Sequence, residues 1–193
     1  MKPTRMLCGV TLMATAWLAG CGTSAPQAAD AALVDINGIS HGTLAQPARG
    51  RWSTLIFVGT DCPNSNQYAP EIRRICAAYE PAGAQCTLVY SATHVQADEV
   101  RAHLAAFSLD LPAVIDRDQV LAARAEATVT PQAAVFTPEG ALAYSGRIDD
   151  LYAELGRPRH SATEQNLRDA LDDLVAGRPV RTPRTDAIGC HIE

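Results

Sequence analysis

The sequence is poor in charged and aromatic residues and has no excess of positive charge. Of its 193 residues, 19% are charged, 5% are aromatic and 47% are hydrophobic. The formal net charge is −5 and becomes −7 once Lys2 and Arg5 leave with the first twenty residues. No basic surface of the kind that binds nucleic acid is therefore expected. A chain of this length is expected to bury one core, which predicts a single domain.

Three further features are missing. The sequence has no internal repeat, no glycine-rich phosphate loop and no long apolar run after the N-terminal one. These absences argue against a repeat architecture, a nucleotide-phosphate cradle and a second membrane-spanning segment. The five histidines are scattered along the chain, and we expect most of them at the surface.

The N-terminus has the layout of an export signal. Lys2 and Arg5 precede an apolar run over residues 6–20, which is too short to cross a bilayer comfortably. The run ends at Cys21 in the tetrapeptide LAGC, which resembles a bacterial lipobox and implies lipidation of Cys21. The lipid tails would anchor the chain stably in a membrane. An ordinary signal peptide cut a few residues later would instead discard Cys21, and both alternatives predict export to the bacterial cell envelope, facing the periplasm or the exterior.

The mature chain is predicted to have three parts. Residues 21–32, rich in Ala, Ser, Pro and Gln, are expected to form a flexible tether. Residues 33–177 form the predicted domain. In residues 178–193, Pro179 and Pro183 oppose a regular helix, which predicts an extended tail along the surface.

Hydrophobic patterning alternates strands with helices after residue 52. The predicted strands are 53–59, 86–90, 112–116, 132–137 and 142–146, and the predicted helices are 64–78, 97–107, 118–125 and 162–176. Asp118 is expected to cap the third helix, and the fourth is expected to turn Leu171 and Val175 inward. A turn at residues 138–140 predicts an antiparallel hairpin. The alternation predicts an α/β sandwich with a central mixed sheet flanked by helices.

Cys62 follows the first strong strand and precedes the first long helix. Free amide groups at a helix N-terminus favour a thiolate, which lowers the thiol pKa and strengthens the nucleophile. The neighbouring Asp61 carboxylate opposes this effect. Cys62 is therefore the candidate nucleophile.

At this point the chain resembles the thioredoxin superfamily, in particular its exported redoxin branch of TlpA-like and AhpC/TSA-like proteins. Cys62 occupies the attacking position of the Cys-x-x-Cys motif, and Pro70 matches the helix-kinking proline. Thr130-Pro131 precedes a strand as the cis-proline of the family does, and a hairpin over residues 136–146 follows. The resemblance spans residues 33–176 and implies a thioredoxin-like fold with Thr130 and Pro131 beside the reactive sulfur.

The departures from that family limit the chemistry. Ser65 stands in the place of the resolving cysteine, and its hydroxyl can bind a thiolate but cannot resolve a mixed disulfide. Leu55 and Gly59 replace the proline and threonine of the peroxiredoxin pattern. The Cys-x-x-x-Cys of a copper-chaperone relative is also absent, so copper binding remains a minor alternative. No cofactor is predicted.

Disulfides persist in the oxidising compartments to which exported proteins go, so we consider a role for each cysteine. Cys8 and Cys21 belong to the leader and the lipobox, which leaves four thiols and three possible pairings. Cys76 and Cys86 are candidates for a structural disulfide, worth about 3 kcal/mol in a loop-entropy model.

Cys190 could reach back along the tail and resolve Cys62. The alternatives are a structural bridge, an intermolecular disulfide, or a metal site with His191. The hypothesis is thus an exported redox protein with Cys62, Ser65, Thr130, Pro131 and Cys190 at its site. Cys62 would attack a disulfide, a sulfenic acid or a peroxide, and the partners would be exported protein thiols and disulfides or small peroxides. The rival is a non-catalytic binding module. Residues 147–156 either cover this site or form a solvated face.

Overall fold

The computed structural model describes residues 31–49 and 51–193. The predicted leader, Cys8, the lipobox with Cys21 and nearly all of the tether lie outside the described residues. Within the described ranges, no helix has the length and apolar character needed to cross a membrane.

The described chain contains eleven strands and four α-helices. In chain order the strands are β1 (Ala32–Val34), β2 (Ser40–Thr43), β3 (Trp52–Phe57), β4 (Ala84–Tyr90), β5 (Ala113–Ile115), β6 (Val129–Thr130), β7 (Gln132–Phe136), β8 (Leu142–Gly146), β9 (Tyr152–Glu154), β10 (Arg157–Pro158) and β11 (Cys190–His191). The helices are α1 (Pro63–Tyr79), α2 (Ala97–Phe107), α3 (Val120–Ala125) and α4 (Asn166–Val175), and a short 3₁₀ turn spans Glu80–Ala82. β1 thus begins at the last residue of the predicted tether.

Five strands form the central sheet in the order β5-β4-β3-β7-β8. β3, β4 and β5 run parallel, whereas β7 and β8 are antiparallel to their neighbours. Every residue of β3, β4 and β7 is buried, which explains why these strands are rich in apolar and β-branched residues and show no regular alternation with polar ones. Gly140 closes the β7–β8 hairpin at φ 78°, a conformation that favours glycine.

Each face of the sheet carries its own core. Ile72 of α1, Val100 of α2 and Leu167 of α4 pack on one face. Leu121 of α3 and Leu33 of the β1–β2 hairpin pack on the other. The arrangement is the predicted α/β sandwich, and it places the start of α1 at the carboxyl end of β3.

Two details of the predicted helices are wrong. Asp118 does not cap α3, because the buried Asp116 carboxylate accepts hydrogen bonds from the amides of Leu121 and Ala122 at 3.0 and 2.9 Å. Val175 is 47% exposed although it lies one turn after the buried Leu171, because it is the last residue of α4 and projects beyond the packed part of the helix.

α4 also begins four residues later than predicted. The buried Asp150 carboxylate accepts hydrogen bonds from the amides of Thr163 and Glu164 and from the Thr163 hydroxyl. These contacts hold the chain in a loop up to Gln165, the residue before the helix.

Candidate redox site

Cys62 is the residue that immediately precedes α1. Its extended backbone (φ −83°, ψ 109°) and Pro63 at the first helical position set the start of the helix. The sulfur therefore lies at the helix N-terminus, where the helix dipole favours negative charge. Pro70 lies inside the same helix. Only 3% of Cys62 is exposed, so the thiol is covered.

Thr130 and Pro131 lie directly beside this sulfur. The Cys62 thiol donates to the Thr130 carbonyl oxygen at 3.0 Å, and the Thr130–Pro131 peptide bond is cis. Gly59 faces the same point, where an added Cβ would lie 3.2 Å from both the Cys62 Cβ and the Thr130 Oγ1. Sequence reasoning predicted this neighbourhood around residues 130–131, and the structure brings these residues together.

The end of the chain covers the sulfur. β11 pairs antiparallel with β6, and this places Cys190 opposite Thr130 and His191 opposite Val129. The Ile192 amide extends the pairing by donating to the Thr128 carbonyl at 3.0 Å. Gly189 permits this approach, because a Cβ there would lie 2.0 Å from the Thr130 carbonyl oxygen. Cys190 and Cys62, both free thiols, consequently lie close enough for each to shift the pKa of the other.

The two thiols have opposite pKa shifts. Burial raises the pKa of Cys62, but hydrogen bonds from the Cys190 thiol and from the Ser65 hydroxyl and amide outweigh it and hold the pKa at about 7. Burial raises the pKa of Cys190 to about 11, with the hydrogen bond to Cys62 and its negative charge adding to the shift. Near neutral pH Cys62 is therefore the thiol that ionises, whereas Cys190 keeps its proton and can donate it in a hydrogen bond. The Asp61 side chain, expected to oppose the thiolate, is exposed to solvent.

Ser65 is buried one turn into α1, close to the sulfur that it stabilises. Its hydroxyl accepts a hydrogen bond from the Gly59 amide at 3.3 Å and takes part in the hydrogen bonding of Cys62. Ser65 therefore holds the loop before the helix and favours the thiolate.

The tail is bound into the domain more firmly than an extended surface path requires. We call residues 178–187 the strap and residues 188–193 the terminal segment. The Asp173 carboxylate accepts from the side chains of Arg178 and Arg181 at 2.7 and 2.9 Å, which fixes the start of the strap. Further along, the Ser145 amide donates to the Pro183 carbonyl, and the Thr185 amide donates to the Ser145 carbonyl. The strap is therefore attached to β8, a strand of the central sheet.

The segment between β8 and α4 also reaches the site. Its Tyr152 ring is buried and stacks on Tyr68 of α1 at 5.6 Å between ring centroids. The Tyr152 hydroxyl donates to Gln67, and the Tyr68 hydroxyl donates to Asp149. Burial raises the pKa of Tyr152, and negative charge at Cys62 raises it further. Residues 147–156 were predicted either to cover the site or to form a solvated face. These contacts favour the first alternative.

Two contributing residues were not predicted. His103 is buried, contrary to the expected surface position of most histidines, and it bridges the Tyr90 hydroxyl at 2.8 Å and the Asn66 amide oxygen at 2.7 Å. Asn66 in turn donates to the Thr60 carbonyl in the loop before Cys62. The spacing of Val100, His103 and Phe107 along one face of α2 could have indicated the inward position of the histidine.

The other two cysteines of the described residues, Cys76 and Cys86, lie apart from the site. Cys76 of α1 and Cys86 of β4 form a disulfide with 5.8 Å between their Cα atoms. Across residues 31–49 and 51–193, no group of three or more His, Cys, Asp or Glu side chains is placed to hold a metal ion. The proposed set of Cys62, Cys190 and His191 accordingly does not form such a group.

Neither a protein-family model nor a curated protein matches the chain. Solved structures do match. A secreted Mycobacterium tuberculosis disulfide oxidoreductase, homologous to E. coli DsbE, is 17% identical with a TM-score of 0.52. The match covers 77% of this chain and 96% of that one. StoA from Bacillus subtilis is 19% identical with a TM-score of 0.51, over 61% of this chain and 86% of that one.

The fold is thioredoxin-like. The predicted fold class is thereby confirmed. Another similar structure is that of a hypothetical protein from Sinorhizobium meliloti 1021, at 26% identity and a TM-score of 0.72. That match covers 86% of this chain and 91% of the other. An uncharacterised conserved protein from Geobacillus kaustophilus is 24% identical with a TM-score of 0.71, over 85% and 88% of the two chains.

Proposed function

We propose that this thioredoxin-like protein is an exported thiol-disulfide oxidoreductase in which Cys62 attacks and Cys190 resolves. The observation that carries the proposal is the pairing of β11 with β6. This pairing places the Cys190 thiol beside the Cys62 sulfur, although 127 residues lie between them in the sequence. Their pKa values of about 7 and about 11 assign the two roles. The disulfide chemistry named for the secreted mycobacterial neighbour supports disulfides, rather than peroxides, as the substrate class.

The reaction begins when the Cys62 thiolate attacks one sulfur of a partner disulfide. The partner S–S bond breaks, its second sulfur leaves and takes up a proton, and a mixed disulfide forms on Cys62. Cys190 then loses its proton and attacks the Cys62 sulfur, which releases the partner as a dithiol. Two electrons have passed to the partner, and a dithiol donor in the same compartment must reduce the Cys62–Cys190 bridge to complete the cycle.

Thr130, Pro131 and Ser65 position this chemistry. The Thr130 carbonyl and Pro131 lie beside the reactive sulfur, and the Ser65 hydroxyl favours its thiolate. Ser65 cannot resolve the mixed disulfide because a hydroxyl oxygen cannot form a disulfide bond with Cys62. Cys190 therefore supplies the thiol that the helix lacks.

The test is reduction of a disulfide-linked fluorescent peptide by the purified protein with a dithiol donor. We expect Cys62→Ser to abolish turnover and Cys190→Ser to accumulate the mixed disulfide on Cys62. The matched control is the Cys76→Ala, Cys86→Ala pair, which should retain turnover. Full activity of Cys190→Ser, with no trapped adduct, would contradict the assigned resolver.

One observation favours the non-catalytic binding module as a second candidate. Cys62 is only 3% exposed, and a thiol that never opens to solvent cannot exchange with a partner. Under that alternative the Cys62–Cys190 bridge is structural, and the wild-type protein shows no turnover in the same assay.

Membrane anchoring is part of the proposal and rests on the LAGC tetrapeptide at residues 18–21. Expression of the full chain in a bacterium with a radiolabelled fatty acid tests it. Cys21→Ala should lose the label, while the matched control Cys8→Ala should keep it because Cys8 lies in the cleaved leader. Equal labelling of the two variants would show that Cys21 is not the lipidated residue.

A further inference from the structure

β6 presents a backbone edge that the protein covers with its own chain end. Among the described strands, β6 pairs with β11 and with no other. The pairing uses main-chain groups of residues 128–130, so any extended chain of suitable shape can make it. The Cys62 sulfur lies beside this edge, bonded to the Thr130 carbonyl.

The terminal segment therefore fills the space that a partner disulfide needs. Cys190 lies on the Cys62 sulfur, and its backbone occupies the edge at Thr130. Because the Cys62 thiol is almost completely covered, a partner sulfur reaches it only after the terminal segment moves.

The terminal segment is held less firmly than the strap. Like the strap, the terminal segment has no fully buried residue, and its Ile188 and Ile192 are partly buried against the two cores. Unlike the strap, in which Arg178, Arg181 and Arg184 each pair with a carboxylate, the terminal segment forms no ion pair with a described residue. Its side-chain hydrogen bonds run from the Asn64 amide to the Ile188 carbonyl at 3.4 Å, from the Thr130 hydroxyl to the Cys190 carbonyl at 3.5 Å, and from the Gln119 amide to the Glu193 carbonyl at 2.7 Å. The anchored strap therefore leaves a short end that can open locally and stay tethered nearby.

We infer that the terminal segment is a tethered competitor for the partner site: an extended, cysteine-bearing segment of a partner protein pairs with β6 in its place. The inference deepens the proposed function and rests on it. The partner strand takes the antiparallel register of β11, which puts its disulfide sulfur at Cys62. Cys190, released by this exchange but held near by the strap, then returns to resolve the mixed disulfide.

Gly189 adds a sequence preference. A Cβ at this position would lie 2.0 Å from the Thr130 carbonyl oxygen, a distance that real contacts do not reach. A partner that follows the same path must therefore carry glycine immediately before its cysteine. The protein thus selects Gly-Cys segments over Ala-Cys segments.

The first test uses a fluorescent peptide with the sequence of residues 188–193 in which serine replaces the cysteine. This peptide cannot form a disulfide, so its binding measures pairing with β6 and not disulfide exchange. We expect it to bind a chain truncated after Ala187 at least about tenfold more tightly than the intact chain, because the competitor is gone. A matched peptide with alanine in place of the glycine should bind the truncated chain at least about tenfold more weakly than the serine peptide.

The second test measures the alkylation rate of Cys62 at a pH above 9.0, the ordinary pKa of a cysteine thiol, so that the thiol stays ionised after the Cys190 hydrogen bond is lost. Gly189→Ala in the full chain should expel the terminal segment and raise this rate several-fold, a readout that stands even where the truncated chain fails to fold. Equal peptide binding to intact and truncated chains, or an unchanged alkylation rate in Gly189→Ala, would overturn the inference. A different outcome is tight, glycine-dependent peptide binding by a protein that shows no disulfide turnover. It would support β6 as a peptide-binding edge and would overturn the proposed redox function instead.

Discussion

At the scale of single residues, the reactivity of Cys62 depends on neighbours that outweigh its burial. Burial alone would raise the pKa of this thiol, yet hydrogen bonds from Cys190 and Ser65 bring it to about 7. The folded protein therefore has a thiolate where an ordinary cysteine would be mostly protonated. This thiolate is lost as the pH falls through about 7.

The contribution of Cys190 to this shift can be measured with two substitutions. Cys190→Ala removes the hydrogen-bond donor and should move the inflection of the pH profile of Cys62 alkylation upward from about 7. Cys190→Ser is the matched control, because its hydroxyl keeps a donor of similar size and should hold the inflection lower than alanine does. Identical inflections in the two variants would show that the Cys190 donor does not tune the nucleophile.

The sequence was sufficient to indicate Cys62 as the candidate nucleophile but not all of its neighbours. Cys62 could be identified because a helix start after a buried strand is a local pattern. Asn64 could not, since its role comes from a contact with Ile188 at the far end of the chain. A single buried polar residue leaves no periodic pattern in the sequence.

At the scale of elements, α3 shows how a buried carboxylate can replace an expected cap. Asp116 begins the loop after β5 and accepts hydrogen bonds from the amides of Leu121 and Ala122, which belong to the first turn of α3. Asp118 is exposed. Propensity favours either aspartate as a cap, and only the path of the loop decides between them.

Substitution of the two aspartates separates their roles. Asp116→Ala should lower the free energy of unfolding by about 1 to 2 kcal/mol, because α3 loses two acceptors and the Ser91 hydroxyl loses its partner. Asp118→Ala, the matched control, should change it by less than about 0.5 kcal/mol. Urea denaturation measures both values, and a larger effect for Asp118 would contradict the assigned cap.

The disulfide between α1 and β4 is expected to be purely structural. The Cys76→Ala, Cys86→Ala pair opens a loop with a sequence separation of 10 and should lose about 3 kcal/mol of unfolding free energy. Urea denaturation of the oxidised wild-type and variant proteins checks this figure. No loss of stability, or a changed alkylation rate of Cys62, would show that the two cysteine pairs are not independent.

At the scale of the whole molecule, the chain end completes the site that α1 begins. The strap crosses β8, and the terminal segment then adds β11 to β6, so Cys190 meets a residue far away in the sequence. The alternation of strands and helices was sufficient to predict the sandwich. The two-residue β11 was not predictable, because such a short strand has no periodicity and depends entirely on its distant partner.

The proposed function requires Cys62 and Cys190 to interconvert between a dithiol and a disulfide, and a redox titration measures this interconversion. The oxidised protein is equilibrated with graded thiol buffers, its free thiols are trapped, and each disulfide is quantified by peptide mapping without reduction. We expect the Cys62–Cys190 disulfide to form under oxidising conditions and to be reduced by much weaker thiol buffers than the Cys76–Cys86 disulfide. Equal resistance of the two bridges to reduction, or no Cys62–Cys190 bridge under any oxidising condition, would contradict the proposed function.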